Sequence, residues 1–363
     1  MLLALGAFAC KRPPLAPARI DVEDSAQCEA CHTDIAREWQ ESMHARAGRG
    51  DPIYEAILAV RAKKEGADLA TKCAPCHQPR PARENATLAG VSCAACHATQ
   101  SVGTEGHGAQ RLLAAPPSTL LGPHDVKPGV SPAHETGPRS AHLADGSTLC
   151  LACHGSLENA QKISLCATGV EWQTGTATGA PPSCTLCHMP RVAGLPTAGS
   201  TRADHAEHRF LGPARARHFA DRRRPGDAVH IRVTRSEHEV SAVLTNVAGH
   251  AFPTGFPGRV AEVAIRGLDA RGQAVWTSTS GLMKVYLDAS GNPVMAPYGV
   301  TLARDTRLKA GETRAYSLPL LPGTERVEVE VSTRLMAPRL AKMVGLDASP
   351  LIAPQTISKS ADK

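Results

Sequence analysis

Beyond Asp227 the chain falls into short runs in which apolar and polar residues alternate, divided by turn residues. Val229–Thr234 and Val240–Val247 flank the turn Ser236-Glu237-His238 and read as a β-hairpin. Val260–Leu268 and Ala274–Thr279 form a second pair, Met283–Leu287 precedes the turn D-A-S-G-N-P, and Thr313–Leu318 with Val327–Ser332 close the set. About seven short strands predict a small antiparallel β-sandwich over residues 226–335. A long Pro/Gly-shaped loop, N-V-A-G-H-A-F-P-T-G-F-P-G-R, interrupts it at 246–259 and carries His250. Residues 336–363 read as a short helix (Arg339–Val344) and a tail.

Before that point the pattern is irregular. Ile35, Trp39 and Met43 recur at four-residue spacing behind Thr33 and Asp34, either of which can cap a helix. Asp51–Leu69 predicts a second, packing helix with Ile53, Ile57, Leu58 and Val60 apolar and Gly66 as its stop. Arg111–Ser147 is proline- and glycine-rich and holds His124, His134 and His142. The whole chain has 31 Gly and 28 Pro but only five Phe, four Tyr and three Trp, so it lacks the usual bulky core-formers.

The cysteines explain the irregularity. Ten of the twelve fall in five C-x-x-C-H motifs: Cys28/Cys31/His32, Cys73/Cys76/His77, Cys93/Cys96/His97, Cys150/Cys153/His154 and Cys184/Cys187/His188. One such motif suits a zinc site or a thiol pair, but five with every histidine in place are the attachment signature of haem c. The cysteines become thioethers, and the histidine binds iron from one side. Five haems would supply the missing apolar surface. The expected fold is an α plus irregular multihaem domain over residues 28–225, with short helices and loops around the haems, followed by the β-sandwich. Trp172 packs on a porphyrin face or fills core, and Cys166 reads as a buried free thiol.

Haem also changes the charge. The formal +6 falls to about +1 oxidised and about −4 reduced once propionates and irons are counted, which leaves no case for nucleic-acid binding. Haem attachment by this chemistry occurs outside the cytoplasmic membrane, so a periplasmic or cell-surface bacterial protein is expected. Residues 1–27 read as an export segment and linker. Met1–Ala9 is apolar and ends at Cys10, as the tail of a lipoprotein signal does, and lipidated Cys10 would anchor the chain; a plain export signal is the alternative. No run approaches ~20 apolar residues, so no transmembrane helix is predicted. The basic run Arg215–Arg224 serves as a solvated linker face pairing with propionates, or as a docking patch for an acidic redox partner.

Two motifs crowd into Lys72–His97, yet Gln78–Ser92 contains no histidine, so both irons must be completed from elsewhere. His44 lies twelve positions beyond His32, about 18 Å along a helix, so it reaches another haem or lies on the surface. His107 sits in the glycine-rich loop S-V-G-T-E-G-H-G, where backbone can approach a flat macrocycle; it is a distal ligand or a solvated loop residue.

Five segments are similar to multihaem cytochromes related to cytochrome c-554, hydroxylamine oxidoreductase and pentahaem nitrite reductase: E-W-Q-E-S-M-H-A after the first motif, G-V-S-C-A-A-C-H, L-C-L-A-C-H-G, C-A-T-G-V-E-W ahead of C-T-L-C-H-M-P, and H-R-F-L-G. G-H-A-F-P-T-G resembles a segment of relatives with a C-terminal β domain. The resemblance implies distal ligands at His44, His107, His134, His208 and His250, with His205 competing for His208 and His124 for His134. The C-x-x-C-K motif of the nitrite reductases is absent, and Tyr286, Tyr298 and Tyr316, three of the four tyrosines, fall in the β domain, away from any haem crosslink like that of hydroxylamine oxidoreductase.

Ten histidines saturate five irons, and iron between two histidines exchanges electrons without binding substrate. The expected role is electron transfer between redox partners such as cytochromes and quinol-linked or terminal oxidoreductases, not catalysis. One alternative is an oxidoreductase of nitrogen or sulfur compounds with one open-site haem. Another is a subunit of an extracellular or outer-membrane conduit, docked through the β domain, with His250 ligating a haem of a neighbouring copy in a homo-oligomer.

Overall fold

A computed structural model describes residues 19–81, 88–126, 131, 133–175, 182–218 and 228–362. The export segment with Cys10, and the basic run beyond His218, lie outside these residues.

The helices are short: α1 (Thr33–Gln40), α2 (Pro52–Glu65), α3 (Leu69–His77), α4 (Cys93–His97), α5 (Ala141–Ala144), α6 (Thr148–His154), α7 (Thr168–Thr174), α8 (Cys184–His188), α9 (Pro213–His218) and α10 (Pro338–Met343). The expected first helix stops early. Neither Thr33 nor Asp34 caps it, since His32 holds the N-cap and the Thr33 hydroxyl donates instead to Glu29 O at 3.0 Å. His44 therefore starts a separate 3₁₀ turn, His44–Arg46, rather than riding on α1. The second helix follows its sequence signals: Asp51 accepts from Ile53 N, Pro52 opens α2, and Gly66 at φ +100° ends it.

The irregular stretches contain small ribbons not evident from alternation: β1 (Thr99–Val102) with β2 (Leu112–Ala114), β3 (Thr119–Gly122) parallel to β4 (Glu135–Arg139), β5 (Leu157–Glu158) with β6 (Ser164–Cys166), and β7 (Arg191–Ala193) with β8 (Asp204–Ala206). Among the described residues up to position 218, the buried apolar ones are nine alanines and three leucines.

From Val229 the expected hairpins are present. β9 (Val229–Arg235) pairs with β10 (Glu239–Asn246), and β11 (Val260–Leu268) with β12 (Ala274–Leu282). They belong to a three-stranded sheet ordered β15-β10-β9 and a four-stranded sheet ordered β12-β11-β16-β17. Here β15 is Thr313–Pro319, β16 is Arg326–Arg334 and β17 is Gln355–Asp362, while β13 (Lys284–Leu287) pairs separately with β14 (Thr301–Asp305). Val240 and Leu244 from one sheet and Val263, Ile265, Val327 and Val331 from the other fill one core, each contributing about 1.5–3 kcal/mol by burial. The tail read from sequence is in part a strand: Gln355–Asp362 adds an edge to β16 although Ile357 alone packs inward, because eight backbone pairings do not depend on the side-chain pattern.

Helix α2 is the seam. Its Ile53 and Ile57 pack on Met336, Ala341 and Ile352 beside α10, and Tyr298 Oη donates to Glu65 Oε1 at 2.7 Å.

Candidate metal centres

Each C-x-x-C-H sits where local structure aims its three side chains together. α3, α4, α6 and α8 all end on a motif histidine, and the first motif begins in the 3₁₀ turn Ser25–Ala30. On a helix the two cysteines stand at i and i+3 and the histidine at i+4, which share one face. The motif cysteines are free of disulfides, and Cys187 is exposed; Cys166 is likewise free but only half-buried.

The first motif departs from the helical arrangement of the other four, and the departure centres on Cys31. Cys31 is not part of a helix. It caps the 3₁₀ turn at φ −118° and ψ −28°, and its N–H donates to Cys28 O at 3.2 Å. His32 N donates to the same carbonyl at 2.8 Å, so one turn still brings Cys28, Cys31 and His32 together. The Cys31 carbonyl accepts from Ala198 N at 2.8 Å, which ties the motif to the loop whose Pro196 carbonyl meets His32. The Cys31 thiol is half-buried and free of disulfides. The sequence draws no distinction among the ten motif cysteines; the structure places Cys28 and Cys31 in and at the end of a 3₁₀ turn, because the helix that follows opens only at Thr33.

All five motifs, the first through Cys28, adjoin at least one other. The thiols of Cys28 and Cys93 lie against each other, as do those of Cys76 and Cys153, and of Cys150 and Cys184. The neighbouring thiol pulls Cys93 to about 7 and Cys184 to about 6, while Cys28 and Cys150 are pushed up. Cys96 lies close enough to Cys150 and Cys153 to raise both. Burial raises Cys73, whose thiol meets the Tyr54 hydroxyl. Two of the thiol contacts are built alike. Ser25 Oγ, three residues before Cys28, accepts from Cys93 N at 3.1 Å, and Ser147 Oγ, three before Cys150, accepts from Cys184 N at 3.1 Å. The fourth motif is thus the hub, adjoining the second, third and fifth.

Three motif histidines face a histidine from elsewhere. His154 and His44 have ring centroids 6.2 Å apart, His97 and His208 6.3 Å, and His188 and His250 6.3 Å. With metal–imidazole bonds of about 2.0–2.1 Å and about 1.1 Å from nitrogen to ring centre, two imidazoles on opposite sides of one metal ion would stand about 6.3 Å apart. Most rings are tied at Nδ1 to a backbone carbonyl: His32 to Pro196 and His77 to Ala47, each at 2.7 Å, His97 to Leu121 and His208 to Ala206 at 2.7 Å, His188 to Leu211 at 2.5 Å, and His250 to Ala251 at 3.1 Å. This fixes the tautomer and leaves Nε2 free to bind metal. Burial lowers His44 to about 3 and His208 to about 4, and also lowers His77, His97, His154 and His250. All six are neutral at pH 7, as ligation requires.

The competing histidines separate by their bonds. His205 uses both nitrogens, Nδ1 on Gly194 O at 3.1 Å and Nε2 on Glu38 Oε2 at 3.2 Å, whereas His208 uses only Nδ1. His124 is exposed, while His134 is half-buried with Nδ1 against Glu135 O at 3.0 Å. His142 is buried against Ser140 Oγ. His107 is exposed, held where Gly108 abuts the Pro75 carbonyl of the second motif. Among the described residues neither His32 nor His77 faces a histidine ring at the 6.2–6.3 Å spacing; His77 stacks on Tyr54 at 4.1 Å instead.

Some supporting residues gave no signal in the sequence. Glu38 Oε2 accepts from His208 N at 2.9 Å, and Arg209 bonds Glu38, Glu41 and Glu207, so the segment after the first motif holds the His208 loop. Phe210, at φ +51°, lies with its ring 4.1 Å from His44 and 5.9 Å from His208. Gly90 lets the third motif's lead-in press on the His44 turn, where Val91 N donates to His44 O at 2.8 Å. The 246–259 loop is anchored through Thr254, which donates to Glu171 Oε2 at 2.5 Å. Trp172 Nε1 donates to Pro182 O at 2.8 Å. No helix among the described residues is long and apolar enough to cross a membrane.

These residues fit haem: paired neutral imidazoles at the spacing of two axial ligands, cysteines on the same face, and an interior lined by alanine that leaves a flat macrocycle to supply apolar area. Residues 27–98 match the family model described as cytochrome c554 and c-prime. The fold is similar to the crystal structure of a penta-haem cytochrome c552 from Thermochromatium tepidum, at 24% identity, TM-score 0.73, covering 94% of this chain and 98% of that one. A β-glucuronidase 2 from Bacteroides uniformis matches 38% of this chain and 13% of its own at 15% identity, with a TM-score of 0.18 that bears on nothing. No curated protein sequence matches. The chain has the fold of a multihaem c-type cytochrome, with its cytochrome c554-like segment at residues 27–98.

Proposed function

We propose that this chain is an electron-transfer protein that passes electrons along five covalently attached haems c, most of them held between two histidines. The three histidine pairs at 6.2–6.3 Å carry the reading. Bound haem supplies a one-electron ferric/ferrous couple whose potential answers to ligand, hydrogen bonding and burial. The chain does the rest. Motif cysteines would fix the haem edges, backbone carbonyls orient the imidazoles, and His44, His208 and His250 would close three of the irons to substrate. The thiol contacts support a route from the first motif to the third, fourth and fifth, joined at the fourth by the second. Its partners are other redox proteins, and its chemistry is that of an exported protein, periplasmic or at the cell surface, with a lipid anchor at Cys10 as one means of attachment.

The test is haem content and spin state. Five haems per chain with a ferric spectrum wholly low-spin, unchanged by cyanide or nitrite, are expected. Absence of covalent haem would overturn the reading. A second reading, an oxidoreductase with one open iron, is favoured at the second motif because His77 has Tyr54, not a histidine, against its ring. High-spin signal from about one haem in five that shifts with nitrite or hydroxylamine would select it. An electron-conduit subunit remains a variant of the first reading, distinguished by co-purification with an outer-membrane partner.

A further inference from the structure

His44 and His154 differ from the other two facing pairs. His97, His208, His188 and His250 all bond a backbone carbonyl through Nδ1. His44 Nδ1 is buried without a hydrogen-bond partner among the described residues, and no bond to His154 Nδ1 is present there either. The His44 ring is held by packing, with Phe210 edge-on at 4.1 Å, and its plane is tilted 39° from that of His154 against 24° and 18° in the other pairs.

We propose that His44 and His154 make the fourth motif's haem the highest-potential of the three facing-pair centres, so that the hub of the network is where an incoming electron comes to rest. This rests on the electron-transfer reading. An Nδ1–H bonded to a carbonyl gives the imidazole imidazolate character and makes it a stronger donor, which favours ferric iron. Two imidazoles without that bond donate less and favour ferrous iron. Arg259 lies near both His154 and His250, so its charge does not separate these two centres, and the Nδ1 bonding does. One electron arrives from an external reductant, and no bond to either histidine forms or breaks.

The experiment is an EPR-monitored redox titration of the holoprotein, with signals assigned by variants. The ferric signal lost in His44→Met belongs to the hub; those lost in His208→Met and His250→Met belong to the other two. In the wild type the hub signal should vanish first, with a ferrous-to-ferric ratio at least tenfold that of the other pairs, a 59 mV separation for one electron. If His44→Met fails to fold, the other two variants still test the inference: it is overturned if the signal assigned to His208 or to His250 is the first of all to vanish. A hub signal that vanishes together with or after either one overturns the inference while leaving electron transfer intact. A protein without low-spin haem would instead overturn the electron-transfer reading itself.

Discussion

Replacing Gly90 by alanine tests whether the third motif's lead-in holds His44 opposite His154 of the fourth. A β-carbon at position 90 would stand 2.0 Å from His44 O, 2.8 Å from Ala47 N and 2.9 Å from the Ala45 carbonyl carbon. Ordinary contact begins near 3.4 Å, so one backbone segment must retreat by about 1.4 Å. That breaks or stretches Val91 N to His44 O at 2.8 Å, Gly48 N to Ala89 O at 2.8 Å and Arg49 N to Ala89 O at 2.7 Å. Overpacking costs about 1–3 kcal/mol and each lost bond about 0.5–1.5 kcal/mol, giving a loss of about 2.5–7.5 kcal/mol if all three break. The displacement is also a large fraction of a metal–nitrogen bond of about 2.0 Å, so His44 should leave its place opposite His154. Denaturant titration and ferric spectroscopy of Gly90→Ala, beside Val91→Ala as a variant that keeps the backbone, read both effects. One haem turning high-spin in the glycine variant alone is expected. Stability within about 0.5 kcal/mol of wild type with every haem low-spin would refute the reasoning.

Three further outcomes are expected. His208→Ala should turn one haem high-spin, whereas His205→Ala should leave spin state intact and act on stability by releasing Glu38; the reverse pattern would exchange their roles. Ser25→Ala and Ser147→Ala should each lower stability by about 0.5–2 kcal/mol, the usual cost of a lost cap, and equal effects would support the shared design of the two motif contacts. Glu65 is held below the ordinary glutamate value of 4.5, first by its bond from Arg61 and also by Tyr298. With the folded value below the unfolded one, its contribution is present above pH 4.5 and lost as pH falls through the lowered range. Glu65→Gln should therefore flatten the acid limb of a stability–pH curve, and an unchanged limb would count against this seam.

The hairpins of the β region were legible because one face is apolar and the period is two; the strand Gln355–Asp362 was not, since its pairing is carried by backbone. Helix α2 could be read from Asp51 to Gly66 through its caps. The end of α1 could not, because the break before His44 is set by Gly90 and Val91, far along the chain. The motifs named their own residues, yet the spacing C-x-x-C-H is the same in the 3₁₀ turn that Cys31 closes as in the four helices, so it did not reveal which motif would stand apart. Which histidine faces which motif is a matter of long-range loop placement, and no spacing in the sequence encodes it. A local code for motif contacts does exist. Motifs one and four carry serine three residues before the first cysteine, and motifs three and five carry serine immediately before it. Those are the two pairs joined by Ser25 and Ser147.

The alanine-lined interior before position 218 has a consequence for biogenesis. The nine alanines and three leucines buried among the described residues there contribute too little area to offset the entropy of ordering so long a stretch of chain, while the β sheets hold a full aliphatic core. Without attached cofactor, limited proteolysis should spare the sheets and digest everything ahead of them. Ordering of the first half then follows the attachment of its haems, and the enzymes that make the thioether bonds act in effect as its folding catalysts.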